Sequence, residues 1–268
     1  MILSAILLEG SIVHYEVLGR GRPVIFLHGW FGSWKYWITS MQVASTSYRA
    51  YAIDLWGFGD TTHNILGYSL EQQSSLLDRF LNEMGIGKIA LVCHGLGALV
   101  GMKFASLPQN GGRVDRIMAV NCPLGYEAVS PRLKVDSPSP VELTDWLSSR
   151  TPEANTALSD SIKTDPKAIT ASMVGLQADN LYSAFRNLSS PIPCLLVYGD
   201  KDQAIYPPVD NIGLSSMTHP VYLENSGHFP MIDETIRFNR LLTDFLALES
   251  GQSPSELQMK EEWRRRVR

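Results

Sequence analysis

Residues 89–101 constrain the fold more than any other stretch. An apolar run, Ile89-Ala90-Leu91-Val92-Cys93, breaks at His94-Gly95-Leu96 and resumes as Gly97-Ala98-Leu99-Val100-Gly101. A short apolar run ended by a glycine turn predicts a buried strand, and the segment after it predicts a helix. Gly97, Ala98 and Gly101 lack bulk, which lets that helix approach the sheet. Gly95 is the pivot. The central residue of so tight a turn takes a positive φ, which costs a non-glycine residue about 1–3 kcal/mol and glycine almost nothing.

The rest of the chain repeats the alternation. Residues 2–8 and 12–17 predict a hairpin turned at Glu9-Gly10-Ser11. Further strands are expected at 23–27, 48–54, 88–93, 114–120, 193–198 and 220–223. Helices are expected at 34–43, 96–107, near 207–214 and at 233–248. One more opens at the capping box Ser69-Leu70-Glu71-Gln72 and stops at Gly85. Alternating strands and helices specify an α/β fold, here a mostly parallel eight-stranded sheet with helices on both faces.

The texture changes at 124–190. Prolines cluster at Pro131, Pro138 and Pro140, and short mixed helical segments fall at 141–149, 156–162, 166–177 and 181–188. This stretch is expected to be a helical lid inserted into a core made of 1–123 and 191–248. Residues 249–268 read as a linker and a basic C-terminal helix. Ser255 is its expected N-cap, and Arg264, Arg265, Arg266 and Arg268 come late, which suits the helix dipole. Five cations and two acids in 260–268 give that end +3, leaving −7 on the body of a chain whose net charge is −4. The segment reads either as a solvated helix or as a route to self-association anchored by Trp263.

Composition removes several classes of function. With 268 residues, 44% of them hydrophobic, the chain can bury one good core. A net charge of −4 supplies no field for nucleic acid or an anionic membrane. Cys93, Cys122 and Cys194 are odd in number and lie in or beside apolar runs. They read as buried free thiols of a reducing compartment, so a cytoplasmic protein is expected. The first residues lack a cationic leader and are too short to span a bilayer, so no integral membrane segment is expected. Metal-ligand spacings, a phosphate loop and a dinucleotide fingerprint are absent from the sequence, and no cofactor is expected.

In open parallel sheets, ligands bind outside the carboxyl ends of the strands, and each remaining motif falls at such an end. These motifs are His28-Gly29-Trp30, Asp54-Leu55-Trp56-Gly57-Phe58-Gly59, Gly199-Asp200-Lys201-Asp202 and Gly227-His228. Together with the turn at Gly95, and in this order, they resemble the α/β-hydrolase superfamily over about residues 10–248. Small lid-bearing serine esterases and acyl hydrolases are the members it looks most like. The turn is similar to the pattern G-x-S-x-G, with Cys93 at the first glycine, Gly97 at the last and Gly95 at the serine.

The resemblance implies roles. The backbone N–H groups of Trp30 and Leu96 would face a developing oxyanion. His228 would be the base, with Asp202 fixing its tautomer and Asp200 as the alternative acid. His28 would hold its own loop, and the His94 side chain would point away from the cleft. Cys93 has no cation nearby to make a thiolate. His14, His63 and His219 lack a matching acid upstream and read as exposed or hydrogen-bonded. Aromatic residues crowd this end: Trp30, Phe31, Trp34, Trp37, Trp56, Phe58 and Phe229. Trp34 and Trp37 also suit the core. The others, with His28, Gly29 and His94, point to a pocket for a small apolar organic substrate or ligand.

Three readings account for the missing hydroxyl. A natural enzyme would let His228 activate a water, since losing a serine side chain frees room on the order of one water, about 30 Å³, or act as a base on the substrate itself. A pseudoenzyme or ligand-binding protein would keep the pocket alone. An engineered knockout would have lost a serine. The otherwise complete site favours hydrolase-type chemistry on a small ester or acyl compound. A halide or epoxide route would require aspartate where Gly95 stands.

Overall fold

The computed structural model describes residues 4–209 and 213–257. Eight strands form one sheet in the order β1-β2-β4-β3-β5-β6-β7-β8. β1 (Ser4–Leu8) and β2 (Ser11–Gly19) make the hairpin, turned by Glu9 and Gly10 at φ 49° and 80°. That pair of positive φ angles matches the twist of the flanking strands. β2 is antiparallel to β1 and to β4. The remaining pairings are parallel, among β3 (Arg22–Leu27), β4 (Tyr48–Ile53), β5 (Ile89–His94), β6 (Val114–Val120), β7 (Cys194–Gly199) and β8 (Thr218–Leu223). β7 is buried at every residue and β5 at all but Ala90, as strands covered on both faces must be.

Each helix has a local cause. A 3₁₀ turn at Trp34–Trp37 leads into α1 (Ile38–Ala44). α2 (Leu70–Glu83) opens where the Ser69 hydroxyl accepts from the Gln72 N–H at 3.3 Å. α3 (Leu96–Ser106) lies close on the sheet. A Cβ at Gly97 would stand 2.5 Å from the Leu27 carbonyl oxygen and 2.7 Å from that of His28. Between β6 and β7 the chain forms α4 (Pro140–Leu147), α5 (Pro152–Ala157), α6 (Pro166–Ala178) and α7 (Leu181–Arg186). The first three start with proline at a position that needs no N–H donor, behind Ser139, Thr151 and Asp165 caps. α8 (Pro230–Asp233) and α9 (Thr235–Ala247) complete the core. No described helix is long and apolar enough to cross a membrane.

Three boundaries differ from expectation. The helix expected near 207–214 does not form at 207–209 or 213–214, and 210–212 lie outside the described residues. Pro208 explains this in part, because a proline drives the residue before it out of the helical region. The helix expected over 233–248 is broken at Glu234, whose φ of −125° and ψ of 48° separate α8 from α9. At the C-terminal end Ser253, not Ser255, is the cap: its hydroxyl accepts from the Ser255 N–H at 3.3 Å and opens a 3₁₀ turn at Pro254–Glu256. Residues 258–268, with Trp263 and the expected basic helix, lie outside the described residues.

Candidate active site

The parallel register brings the strand ends together, since Leu27 pairs with both Ile53 and Cys93, and His94 pairs with Val120. His28, Asp54, Gly95 and Asn121 therefore leave the sheet along one edge, and the loops after β7 and β8 add Asp202 and His228.

Gly95 takes φ 49° and ψ −110°, and its N–H donates to the Val120 carbonyl at 2.9 Å. A side chain here would be strained and would also meet a neighbour. Its Cβ would stand 3.0 Å from Cε3 and Cζ3 of Trp30 and 3.6 Å from the Cα of Gly29. The indole thus crowds the position of the absent side chain. Trp30 is fully buried, and its Nε1–H donates to the Ser172 hydroxyl on α6 at 2.8 Å. That hydroxyl donates onward to the Ile169 carbonyl at 2.7 Å. Among the described residues, none accepts a hydrogen bond from the backbone N–H of Trp30 or of Leu96.

His228 Nδ1 donates to Asp202 Oδ2 at 2.9 Å, and both side chains are buried. The second oxygen of Asp202 accepts from the Ala204 N–H at 2.8 Å. With its proton fixed on Nδ1, the imidazole presents a lone pair at Nε2. Nε2 is buried and has no hydrogen-bond partner among the described residues. Asp200, the alternative acid, accepts from the Ser226 N–H at 3.2 Å. It holds the histidine loop and makes no bond to the ring.

His94 does not point away as expected. Its ring centroid lies 4.7 Å from that of His228 and 5.5 Å from that of Phe229. Nδ1 of His94 accepts from the Tyr36 hydroxyl at 3.0 Å, and that hydroxyl accepts from the Gly29 N–H. Burial, then the neighbouring His228, hold its pKa well below the usual histidine range. A neutral His94 therefore backs the His228 ring and is tied through Tyr36 to the loop carrying Trp30. His28 bridges two loops: Nδ1 donates to the Gly29 carbonyl at 2.8 Å, and Nε2 accepts from the Leu55 N–H at 3.0 Å. Burial lowers its pKa as well.

The aromatic residues expected to line a pocket are buried and pack around the histidines. Phe31 and Phe229 flank His228 at 5.9 and 5.1 Å between centroids, and Phe58 packs on His28 at 5.1 Å. Trp56, Phe58 and Phe229 are at most 5% exposed. Trp37 belongs to the core, 5.4 Å from Phe26.

Several residues that sequence reasoning missed support this end. Asn121, at φ 42°, donates through Nδ2 to the His228 carbonyl at 2.9 Å and accepts at Oδ1 from the Gly199 N–H at 3.0 Å. Asp233 accepts from the Gly227 N–H at 2.9 Å, and burial raises its pKa. Only Asn121 carried a sequence signal, as a residue tolerant of positive φ at a strand end.

Among the described residues, His14, Asp54 and Asp60 have donor atoms within 4.8 Å of one another and the composition of a metal site. Asp54 is already engaged. It accepts from His14 Nδ1 at 2.8 Å, from the Trp34 N–H at 2.8 Å and from the Asp60 N–H at 3.1 Å. The group works as a hub that ties β2 and the 3₁₀ turn at Trp34 to the loop after β4.

Residues 24–241 match the family model described as Alpha/beta hydrolase family. A soluble epoxide hydrolase of Corynebacterium sp. is 27% identical over 115 residues, which cover 43% of this chain and 40% of that protein. The chain spans less than half the length of the first curated relatives it matches. A putative carbamate hydrolase of Stutzerimonas stutzeri is 24% identical over 267 residues, covering 90% of this chain and 98% of that one. Among solved structures, an N-acyl homoserine lactonase superimposes with a TM-score of 0.79 at 17% identity, covering 92% of this chain and 97% of that one. It is a serine-to-glycine variant in complex with N-hexanoyl homoserine lactone.

Proposed function

We propose, from the premise that this chain belongs to the alpha/beta hydrolase family, that it is a hydrolase-type enzyme for a small apolar ester or acyl compound. No acyl-enzyme forms in this reading, and His228 is the general base. One observation carries it: His228 Nε2 is buried and unpartnered while Asp202 holds Nδ1. Leaving a buried polar atom unpaired costs about 1–3 kcal/mol, so such an atom in a folded protein calls for a reason. An oriented imidazole with a free lone pair is equipped to take a proton.

The chemistry follows from the parts. His228 Nε2 takes a proton from a water as its oxygen attacks the carbonyl carbon. The carbonyl oxygen gains negative charge, for which the N–H groups of Trp30 and Leu96 are the donors at hand. Collapse of the tetrahedral adduct breaks the bond to the leaving alcohol, which receives the proton from His228. Asp202 stabilises the imidazolium between the two transfers. The walls would be Phe31, Trp56, Phe58 and Phe229, with His28, Gly29 and His94 holding the floor and the back. Three unpaired buried thiols suit a reducing, cytoplasmic setting for this chemistry.

The test is hydrolysis of short-chain nitrophenyl esters and lactones by the wild type, His228→Ala and Asp202→Asn. We expect weak turnover, near the 10³–10⁴-fold over water that about survives nucleophile loss in serine proteases, and its disappearance in His228→Ala. Turnover that persists in His228→Ala rejects the reading. A second reading, a ligand-binding protein without turnover, is favoured by the indole seated on Gly95. Saturable binding with no hydrolysis in any variant would support it.

A further inference from the structure

We propose that the cavity at the amino ends of the central strands is a second ligand site, for a small organic acid with an apolar body and one carboxylate. It lies at the opposite end of the strands from Gly95 and does not depend on any activity there.

The cavity has a volume of about 300 Å³, at the lower end of small-molecule sites. Arg22 at the start of β3, Tyr48 at the start of β4 and the first residues of β5 and β6 line it, together with Leu246 of α9. A break in strand register shapes it. Ile89 pairs with Val114 and Ala90 with Arg116, so Asp115 is an extra residue without a partner on β5. Neighbours along a strand ordinarily face opposite sides of a sheet. This bulge lets Asp115 and Arg116 line one cavity together. Paired with Arg116 is Ala90, whose one-carbon side chain takes up little of the space.

The charges leave a place for an anion. Asp115 accepts from Lys88 at 3.0 Å, from Arg116 Nε at 2.8 Å and from the Ser250 hydroxyl at 2.9 Å. Arg22 lies with its guanidinium 5.7 Å from the Tyr48 ring centroid and makes no ion pair among the described residues. Three cations therefore border the cavity against one acid. Arg116 is 2% exposed, and its Nη1 donates to the Phe245 carbonyl at 2.8 Å. Its Nη2 is buried and has no acceptor among the described residues. A buried guanidinium with an unused donor calls for a partner, and a carboxylate matches it in charge and in shape. The rest of the wall, including Pro23, Ile89 and Leu246, is mostly apolar, so the body of the acid is apolar too. The end of this chain has the wrong sign to fill the cavity, since residues 260–268 carry a net +3.

The test is isothermal titration of hexanoate, 1-hexanol and hexylammonium into the full chain. Hexanoate should bind saturably and more tightly than the alcohol or the amine. Absent binding, or equal affinities for the three, overturns the proposal. Ala90→Leu fills the cavity and should abolish hexanoate binding while keeping the melting temperature. The double variant Arg22→Gln, Lys88→Gln should weaken binding about tenfold, the product of two exposed charge contacts. Unchanged affinity in both variants overturns the proposal, and if Ala90→Leu does not fold, the double variant decides. His228→Ala separates this site from the other. Hexanoate binding should survive it, and a loss there would assign the acid to the Gly95 end and reject the second site. Affinity that appears only after truncation at Leu257 would show the chain's own end in the cavity and reject an outside acid.

Discussion

A hydroxymethyl group at position 95 would have to stand on a backbone with φ 49°, with its Cβ 3.0 Å from two ring carbons of Trp30. We therefore expect Gly95→Ser to lose about 1–3 kcal/mol of stability in urea unfolding. It should also gain labelling by a serine-directed phosphonate that disappears in the double variant with His228→Ala. A stable Gly95→Ser protein that resists the phosphonate would mean that Asp202 and His228 do not serve that position. His94 gives a pH prediction. Its folded pKa is held low by burial and by His228, while the unfolded value is near 6.5. Below about pH 6.5 the unfolded chain binds the proton and the folded one does not, so stability falls with falling pH. In His94→Gln the slope of unfolding free energy against pH between 5 and 6 should shrink by up to about 1.4 kcal/mol per unit. An unchanged slope would show that His94 is not kept neutral by the fold. The residues of this site divide by the range of their signals. Gly95, Asp202 and His228 sit in short motifs that a sequence displays directly. Tyr36, Asn121 and Ser172 act on partners 58, 107 and 142 residues away, and of the three only Asn121, at a strand end, leaves a local sign.

Elements were legible where a local cause fixes them. The capping box at Ser69, the glycine turn before α3 and the proline-led helices each state their own start. What escaped is the break at Glu234, whose non-helical backbone ends α8 and begins α9 inside one continuous helical pattern. The close approach of α3 to β3 gives the sharpest test at this scale. In a free helix, alanine is better than glycine by about 1 kcal/mol. At Gly97 the added Cβ would lie 2.5 and 2.7 Å from two backbone oxygens, which cannot retreat without moving β3. We expect Gly97→Ala to lose about 3 kcal/mol, the upper end of ordinary overpacking. Gly87→Ala, with nothing within 4 Å of its Cβ, should be neutral or slightly stabilising. Equal melting temperatures for the two variants would refute the packing argument.

At the scale of the molecule, the inserted helices are joined to the core by a seam of polar bonds as well as by apolar packing. Asp160 accepts from Lys35 at 2.8 Å and from the Ser33 hydroxyl at 2.9 Å, and the Tyr68 hydroxyl donates to Asp165 at 2.8 Å. Burial alone would raise the Asp160 pKa, but Lys35, Ser33 and Lys163 more than offset it and hold it low. Asp160→Asn should leave the sheet intact and increase proteolytic nicking of residues 124–190, while no change in nicking would assign the seam to apolar packing alone. The helical stretch between β6 and β7 was legible in its prolines. Its attachment was not, because each bond joins segments remote in sequence. For the C-terminal end, truncation after Leu257 keeps the described chain and removes a net +3. A solvated segment predicts an unchanged sedimentation coefficient, and a fall that depends on salt would reveal docking between subunits.

The three thiols give the sheet an internal clock. Cys93 ends the run before the Gly95 turn, Cys122 lies just past β6 and Cys194 begins β7, and none of them has exposed surface. Burial pushes the thiols of Cys93 and Cys122 well up and that of Cys194 to about 12. Since the thiolate is the reactive form, the folded molecule is silent to a disulfide reagent, and every modification records one opening of the sheet at its middle. Three sites that react in step would time the unfolding of the whole molecule. A lead taken by Cys194 would mark β7 and β8 as the side that parts first, taking Asp202 and His228 away from Gly95 before the rest of the fold is lost.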